Sequence, residues 1–157
     1  MIEVEPASVT AVGTSLYEAL GGLDVLQRVH KIFYDKIYRH PWLKLYFIDV
    51  KQAVIESQQT DFMAQAMGGP SRYSGKLPVP AHKHMFITEE LFETRGRLLE
   101  ESLREASVPE DLGARWLKID RAFKGRLVKR SEAECEGRYK TEPIMVVPKP
   151  REQIRQV

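Results

Sequence analysis

The stretch Gly68–Thr88, GGPSRYSGKLPVPAHKHMFIT, lies between two long segments with helical periodicity and carries His82 near its centre. A double glycine ends the preceding helix, and a loop rich in glycine, serine and proline follows. Pro78 and Pro80 do not fit a helix interior, so the turn that carries His82 is predicted to be short. Thr88 can cap the helix that follows. The stretch therefore predicts a histidine held on a short turn between two helices.

The segments on both sides of this stretch show apolar side chains three and four residues apart, which is typical of amphipathic helices. Helices are predicted at 15–20, 23–38, 51–67, 88–106 and 109–127, with a short helical turn at 41–47. The sequence contains no convincing strand pairs and no internal repeats. The predicted fold class is therefore all-α.

The length of 157 residues is enough for one domain with a substantial core. Residues 1–14 lack periodicity and are predicted to form an N-terminal extension. Residues 15–136 are predicted to form the domain. Residues 137–157 contain Pro143, Pro148 and Pro150 and show no periodicity, so we expect a flexible C-terminal tail.

Composition excludes several classes of function. The 24 basic residues nearly match the 22 acidic ones, so the net charge of +2 favours neither nucleic acid nor anionic lipid. No apolar run approaches the roughly 18 residues of a membrane helix. The acidic N-terminus does not resemble a signal peptide. The single cysteine, Cys135, cannot form an intramolecular disulfide, and we expect a cytoplasmic protein.

His82 is the candidate metal ligand. A neutral imidazole is the commonest metal ligand, and a haem iron needs only one from the protein. His84 would project to nearly the opposite side of a helical turn, so one of the two can face a cavity. On spacing alone, a surface or helix-capping histidine is the more common case. Zinc is not indicated, because His30 and His40 have no acidic or cysteine partner at a diagnostic interval.

Tyr34, Gln58 and Gln59 are candidate hydrogen-bond donors to a buried polar ligand, since they lie on or near the apolar faces of two predicted helices. A dioxygen ligand carries partial negative charge on its outer atom, which such donors would stabilise. In the alternative, all three side chains face solvent. The residues alone favour that alternative for Gln58 and leave Tyr34 and Gln59 open.

Taken in order, these features resemble the truncated haemoglobins, which are short globins with a two-over-two α-helical sandwich. The resemblance extends from Ser15 to Leu127. The matching pieces are 16–22, 33–34, 41–43, 46–47, 62–70, 73–75, 81–82, 87–88 and Phe92. Each piece is weak by itself, but the ordered set is specific. The context of His82 resembles the first group of the family more than the second.

The resemblance implies haem b as the cofactor and His82 as the proximal ligand to its iron. It also implies a distal set that would contact the ligand, formed by Tyr34, Gln59, Gln58 and Ile55. The side chains that it implies for the walls of the haem pocket are Phe47, Phe62, Met63, Tyr73, Ile87 and Phe92.

Two residues depart from the family pattern. Arg95 falls where the family usually has an apolar residue or a tryptophan, and a buried charge without a partner is costly. It therefore points outward, or the correspondence shifts by one residue, or the pocket is unusual. His30 lies one turn before Tyr34, where family members tend to be apolar. It would approach the distal side or serve as a partly buried structural histidine.

The function implied by the resemblance is reversible binding of dioxygen or another small diatomic molecule at a His82-ligated iron, as in oxygen transport. One alternative is an enzyme, a nitric oxide dioxygenase or a peroxidase-like protein, which would need a reductase as partner. Another is a haem-based gas sensor or an interaction module. A structural module with a globin-like fold but no haem also belongs to this class of alternatives. No nucleic acid and no membrane is expected among the partners.

Overall fold

The computed structural model describes residues 14–151, so nearly all of the predicted N-terminal extension lies outside the described residues. The helices are α1 (Leu16–Leu20), α2 (Leu23–Arg39), α3 (Gln52–Ala66), α4 (Pro78–His82), α5 (Glu89–Glu105), α6 (Glu110–Arg121) and α7 (Lys124–Leu127). Short 3₁₀ turns lie at Leu43–Phe47 and Glu132–Glu134. Within 14–151 the chain forms no strand beyond an isolated bridge between Met85 and Met145. The all-α prediction is confirmed.

Two packed helix pairs form the body of the domain. Helix α2 packs against α3, α5 packs against α6, and the two pairs meet where α2 crosses α5. The largest fully buried side chains come from these four helices, and they include Phe33, Leu26, Leu99 and Trp116. Burying one such side chain contributes about 1.5–3 kcal/mol to folding, so this junction holds the sandwich together. None of the described helices combines the length and apolar character that a membrane crossing needs.

The helix ends follow the local sequence. The Oγ1 atom of Thr88 accepts a hydrogen bond from the backbone N–H of Leu91 at 3.1 Å, which is the N-cap predicted for α5. Gly68 adopts a φ of 90°, a left-handed conformation, just after α3 ends. The predicted helix over 109–127 is broken, because α6 ends at Arg121 and α7 begins at Lys124. This break leaves the Phe123 ring 6.0 Å from the Phe62 ring.

The C-terminal segment differs from the expected flexible tail, because the part up to Lys149 lies against the domain. We call residues 129–149 the C-terminal strap. The backbone N–H of Met145 donates to the carbonyl of His84 at 2.8 Å, and the N–H of Phe86 donates to the carbonyl of Met145 at 2.9 Å. Farther along, the indole N–H of Trp42 donates to the carbonyl of Val147 at 2.9 Å. Backbone hydrogen bonds hold the strap, which explains why its sequence shows no apolar periodicity.

Candidate functional site

His82 is the last residue of the short helix α4, and both nitrogens of its ring can be assigned a role. Its Nδ1 atom lies 2.7 Å from the carbonyl oxygen of Pro78. A carbonyl only accepts, so Nδ1 carries the proton and Nε2 keeps its lone pair. Burial lowers the pKa of His82, against a smaller opposing effect of the Pro78 carbonyl. Among the described residues, Nε2 has no hydrogen-bond partner.

A neutral imidazole with a fixed tautomer and a free Nε2 lone pair is the form that binds a metal ion. The other three histidines are engaged elsewhere. The Nδ1 atom of His30 is 2.7 Å from Oγ1 of Thr60. The Nδ1 atom of His40 accepts from the backbone N–H groups of Trp42 and Leu43, both at 3.1 Å.

His84 is buried against the C-terminal strap, where its Nε2 atom lies 3.7 Å from a carboxylate oxygen of Glu142. Its Nδ1 atom is buried without a hydrogen-bond partner among the described residues. Arg138 also pairs with Glu142, and this hydrogen bond lowers the pKa of the Glu142 carboxyl to about 2. Of the two histidines in the predicted turn, His84 therefore faces the strap, while His82 is the one with an open Nε2.

The C-terminal strap fixes the backbone around His82. The Nζ atom of Lys129 donates to the carbonyl oxygens of His82 at 3.0 Å and of Met85 at 2.7 Å. The backbone N–H of Glu136 donates to the carbonyl of Lys83 at 2.9 Å. Nothing in the sequence indicated these contacts, because Lys129 lies 47 residues after His82.

We expect Lys129→Met to lower the free energy of unfolding by about 1–2 kcal/mol, the usual cost of removing hydrogen bonds to a charged donor in a partly exposed place. Urea unfolding would measure this loss. The variant should also accelerate amide exchange at Met85, whose N–H donates to the carbonyl of His82 at 3.0 Å. Lys140→Met, at an exposed lysine of the same strap, serves as the control. Equal stability of the two variants would contradict the role of Lys129.

Tyr34 lies on α2 with only 4% of its surface exposed. Its ring centre is 4.9 Å from that of Phe33 and 6.1 Å from that of Phe47, both in edge-on contacts. The structure gives its hydroxyl no hydrogen-bond partner among residues 14–151. Burial raises the pKa of Tyr34 far above its ordinary value, so the hydroxyl stays protonated and can donate. A buried donor without an acceptor is expected where a polar ligand binds.

Helix α3 packs against α2 and carries three members of the predicted distal set, which differ in exposure. Ile55 and Gln59 are half-buried, whereas Gln58 is exposed. Neighbouring residues of a helix point about 100° apart, so Gln58 and Gln59 cannot share one face. The exposure of Gln58 does not fit the predicted distal set, and the alternative of a solvated glutamine describes it better.

The predicted wall residues fall into ring pairs and core residues. Phe62 and Tyr73 form an edge-on pair with ring centres 5.3 Å apart, and the Tyr73 hydroxyl donates to the Lys76 carbonyl. Phe47 pairs with Tyr34, as described above. The fully or nearly fully buried members of the set are Met63, Ile87 and Phe92.

Arg95 on α5 points inward and has a partner that the sequence analysis did not predict. Its Nη1 atom donates to both carboxylate oxygens of Asp120 on α6, each at 2.9 Å. Its guanidinium carbon lies 5.2 Å from the centre of the Phe33 ring. Asp120 is 25 residues farther along the chain on a different helix, and no local sequence signal links the two.

His30 is a structural histidine, with 1% of its surface exposed and its ring 5.5 Å from the Trp116 ring in an edge-on contact. Burial, with a smaller effect of the Arg95 charge, lowers its pKa from 6.5 to about 3. The folded state therefore binds this proton more weakly than the unfolded state does. The stability that the neutral form provides is complete above pH 6.5 and is lost as the pH falls towards about 3.

We accordingly expect the free energy of unfolding of the haem-free protein to fall by roughly 1.4 kcal/mol per pH unit between these limits through His30 alone. Urea unfolding at a series of pH values would measure the slope. His30→Gln, which can still bond to Thr60 but does not titrate, should lose this part of the slope. Wild type and variant with the same slope between pH 6.5 and 5 would contradict the assignment.

Comparison with known proteins identifies relatives of this chain. A family model described as bacterial-like globin matches residues 15–127. A group 1 truncated haemoglobin from Synechocystis is 32% identical over 103 residues, which is 63% of this chain and 83% of the relative.

Two solved structures illustrate the fold. The ferric truncated haemoglobin from Tetrahymena pyriformis superposes with a TM-score of 0.69 at 26% identity, covering 74% of this chain and all of the other. A 2/2 haemoglobin from Synechococcus, in the cyanomet state with covalently attached haem, gives a TM-score of 0.66 at 28% identity, covering 72% of this chain and 95% of the other.

Proposed function

The chain belongs to the bacterial-like globin family and is a truncated haemoglobin most similar to group 1. From this membership we propose that His82 ligates the iron of haem b and that the protein binds dioxygen reversibly. Globins bind haem and small diatomic ligands. The observation that carries the assignment of His82 is the state of its ring, with Nδ1 bonded to the Pro78 carbonyl and Nε2 free. Of the four histidines, His82 is the one whose Nδ1 bonds to a group that can only accept, which fixes Nε2 as the nitrogen with the lone pair.

The described residues fit this prosthetic group. When bound, haem supplies an iron coordination position for a diatomic ligand. His82 would hold the group through Nε2, because the bond between Nδ1 and the Pro78 carbonyl fixes the ring and leaves Nε2 as the ligating nitrogen. Tyr34 offers a buried hydroxyl donor, and Gln59 offers a half-buried amide on the adjacent helix. Both would slow the loss of a ligand that carries partial negative charge.

The predicted walls would keep water away from the iron. Met63, Ile87 and Phe92 are buried apolar side chains. The Phe47 ring, on the 3₁₀ turn, contacts the Tyr34 ring edge-on. Water exclusion strengthens the hydrogen bonds that Tyr34 and Gln59 make, because the local dielectric constant is low. The proposed distal set is thus Tyr34, Gln59 and Ile55, without Gln58.

Conversion of nitric oxide to nitrate is the second candidate function. It is supported by the apolar side chains of α3, half-buried Ile55 and Phe62 and buried Met63, which would suit the passage of a small neutral gas. Rapid mixing of the oxygenated protein with nitric oxide would test it, and nitrate should form promptly and in a one-to-one ratio. Slow or incomplete nitrate formation would leave oxygen binding as the function. A cytoplasmic location and a reductase partner stay predictions from the sequence.

The test of the proposed function is the visible absorption spectrum of the purified protein, with haem added if needed. We expect an intense Soret band that shifts when dioxygen or carbon monoxide is added to the reduced protein. A folded protein that takes up no haem would overturn the proposal and leave a helical scaffold. Extracting the haem with acid should remove the band, and adding haem back should restore it.

A further inference from the structure

The Arg95 guanidinium has hydrogen-bonding capacity that its ion pair does not use. Its Nη1 atom makes both bonds to Asp120. Within the part of the chain that the structure describes, Nε and Nη2 have no hydrogen-bond partner. Three N–H donors of one guanidinium are therefore available, and the pairing with Asp120 holds them in a fixed orientation.

These donors lie beside the proposed ligand site. The guanidinium carbon sits 5.2 Å from the centre of the Phe33 ring, and the Phe33 ring centre lies 4.9 Å from that of Tyr34. After burial, the Arg95 charge is the largest influence on the pKa of Tyr34 and of His30, and it also lowers the pKa of His82. The Arg95 charge is therefore close enough to side chains of both α2 and α4 to influence them.

The Arg95 side chain is also partly accessible. It keeps 28% of its surface exposed, compared with 9% for that of Asp120. An arginine that packs on Phe33 and pairs with Asp120, yet keeps part of its side chain accessible, can line the proposed haem cavity. Both bonds to Asp120 are made by Nη1, so the Nε and Nη2 donors remain for an incoming anion.

We propose that Arg95 is a ligand-selecting residue that donates ionic hydrogen bonds to small anions, such as azide, fluoride or nitrite, inside the haem cavity. This inference rests on the proposed function, because the cavity is the haem pocket. Two donors of different charge would then face the ligand, the neutral Tyr34 hydroxyl and the cationic guanidinium. The neutral donor serves any ligand with partial negative charge, while the cation favours ligands with a full negative charge.

The test compares the affinities of one anion and one neutral ligand. Sodium azide would be titrated against the ferric protein, and carbon monoxide against the ferrous protein, both by visible absorption. We expect Arg95→Met to weaken azide binding about ten-fold or more, equivalent to at least about 1.4 kcal/mol. Carbon monoxide affinity should change less than two-fold. Arg97→Met, at an exposed arginine of the same helix, removes the same charge and should leave both affinities as in the wild type.

A second variant guards against misfolding. Arg95→Met leaves the Asp120 carboxylate buried without its partner, which destabilises the fold. Arg95→Met with Asp120→Asn removes both charges, so urea unfolding of the haem-free proteins should show the double variant to be more stable than the single one. The haem-bound double variant should show the same loss of azide affinity as Arg95→Met alone. Wild-type azide affinity in the haem-bound double variant would overturn the inference, whereas absence of haem from the wild type would overturn the proposed function instead.

Discussion

His82→Ala is expected to lower the affinity for haem at least about 100-fold, more than the 10–100-fold typical of losing a residue that only supports a metal ligand. The Nε2 atom of His82 keeps its lone pair, because Nδ1 of the same ring carries the proton that is donated to the Pro78 carbonyl at 2.7 Å. No other histidine near it is placed to substitute, because His84 is buried against Glu142. Transfer of haem to apomyoglobin would measure the affinity.

Two measurements make this result specific to ligation. Free imidazole should enter the space left by the alanine and restore the Soret spectrum of the wild type. His84→Ala is the matched control, two residues farther along the chain, and should keep the spectrum of the wild type. Stoichiometric haem with an unchanged spectrum in His82→Ala would show that another histidine is the ligand.

Tyr34→Phe is expected to accelerate dioxygen dissociation about ten-fold or more, since a hydrogen bond to a charged or partly charged group contributes roughly 1.5–3 kcal/mol. The substitution keeps the ring and its edge-on contacts with Phe33 and Phe47, so packing changes little. Only the buried hydroxyl is lost. Laser photolysis or stopped-flow displacement by carbon monoxide would give the dissociation rate.

Tyr38→Phe provides the matched control for this measurement. Tyr38 lies one turn farther along α2 and its ring also contacts that of Phe47, with centres 5.5 Å apart. Its hydroxyl donates to the carbonyl of Val50 at 2.7 Å, so it has a partner already. An equal rate in wild type and Tyr34→Phe would place Tyr34 outside the ligand site, and Gln59 would become the principal donor.

Local sequence predicted the helical framework because helix ends and apolar periodicity are local properties. The cap at Thr88 and the glycine break at Gly68 act on backbone groups within a few residues. The alternation of apolar residues in α2 already identified Phe33 as a core residue, and it is fully buried. The order of the motifs then indicated the family, which the match to residues 15–127 establishes.

Exposure within a helix was only partly predictable. Gln58 and Gln59 are chemically identical neighbours, and the sequence favoured a solvent-facing Gln58 but left Gln59 open. The orientation of α3 against α2 decides this, and it leaves Gln58 exposed. His30 posed the same problem, because its burial and its bond to Thr60 depend on how the two helices pack.

The sequence by itself therefore determined the helices, the family and the candidate ligand His82. Tertiary structure alone decided that Arg95 pairs with Asp120 and that Lys129 donates hydrogen bonds to the carbonyls of His82 and Met85. Both contacts join residues far apart in the chain, and a single charged residue carries no sign of its partner. Such pairs form because a buried charge must be neutralised or hydrogen-bonded by whatever the fold brings near it.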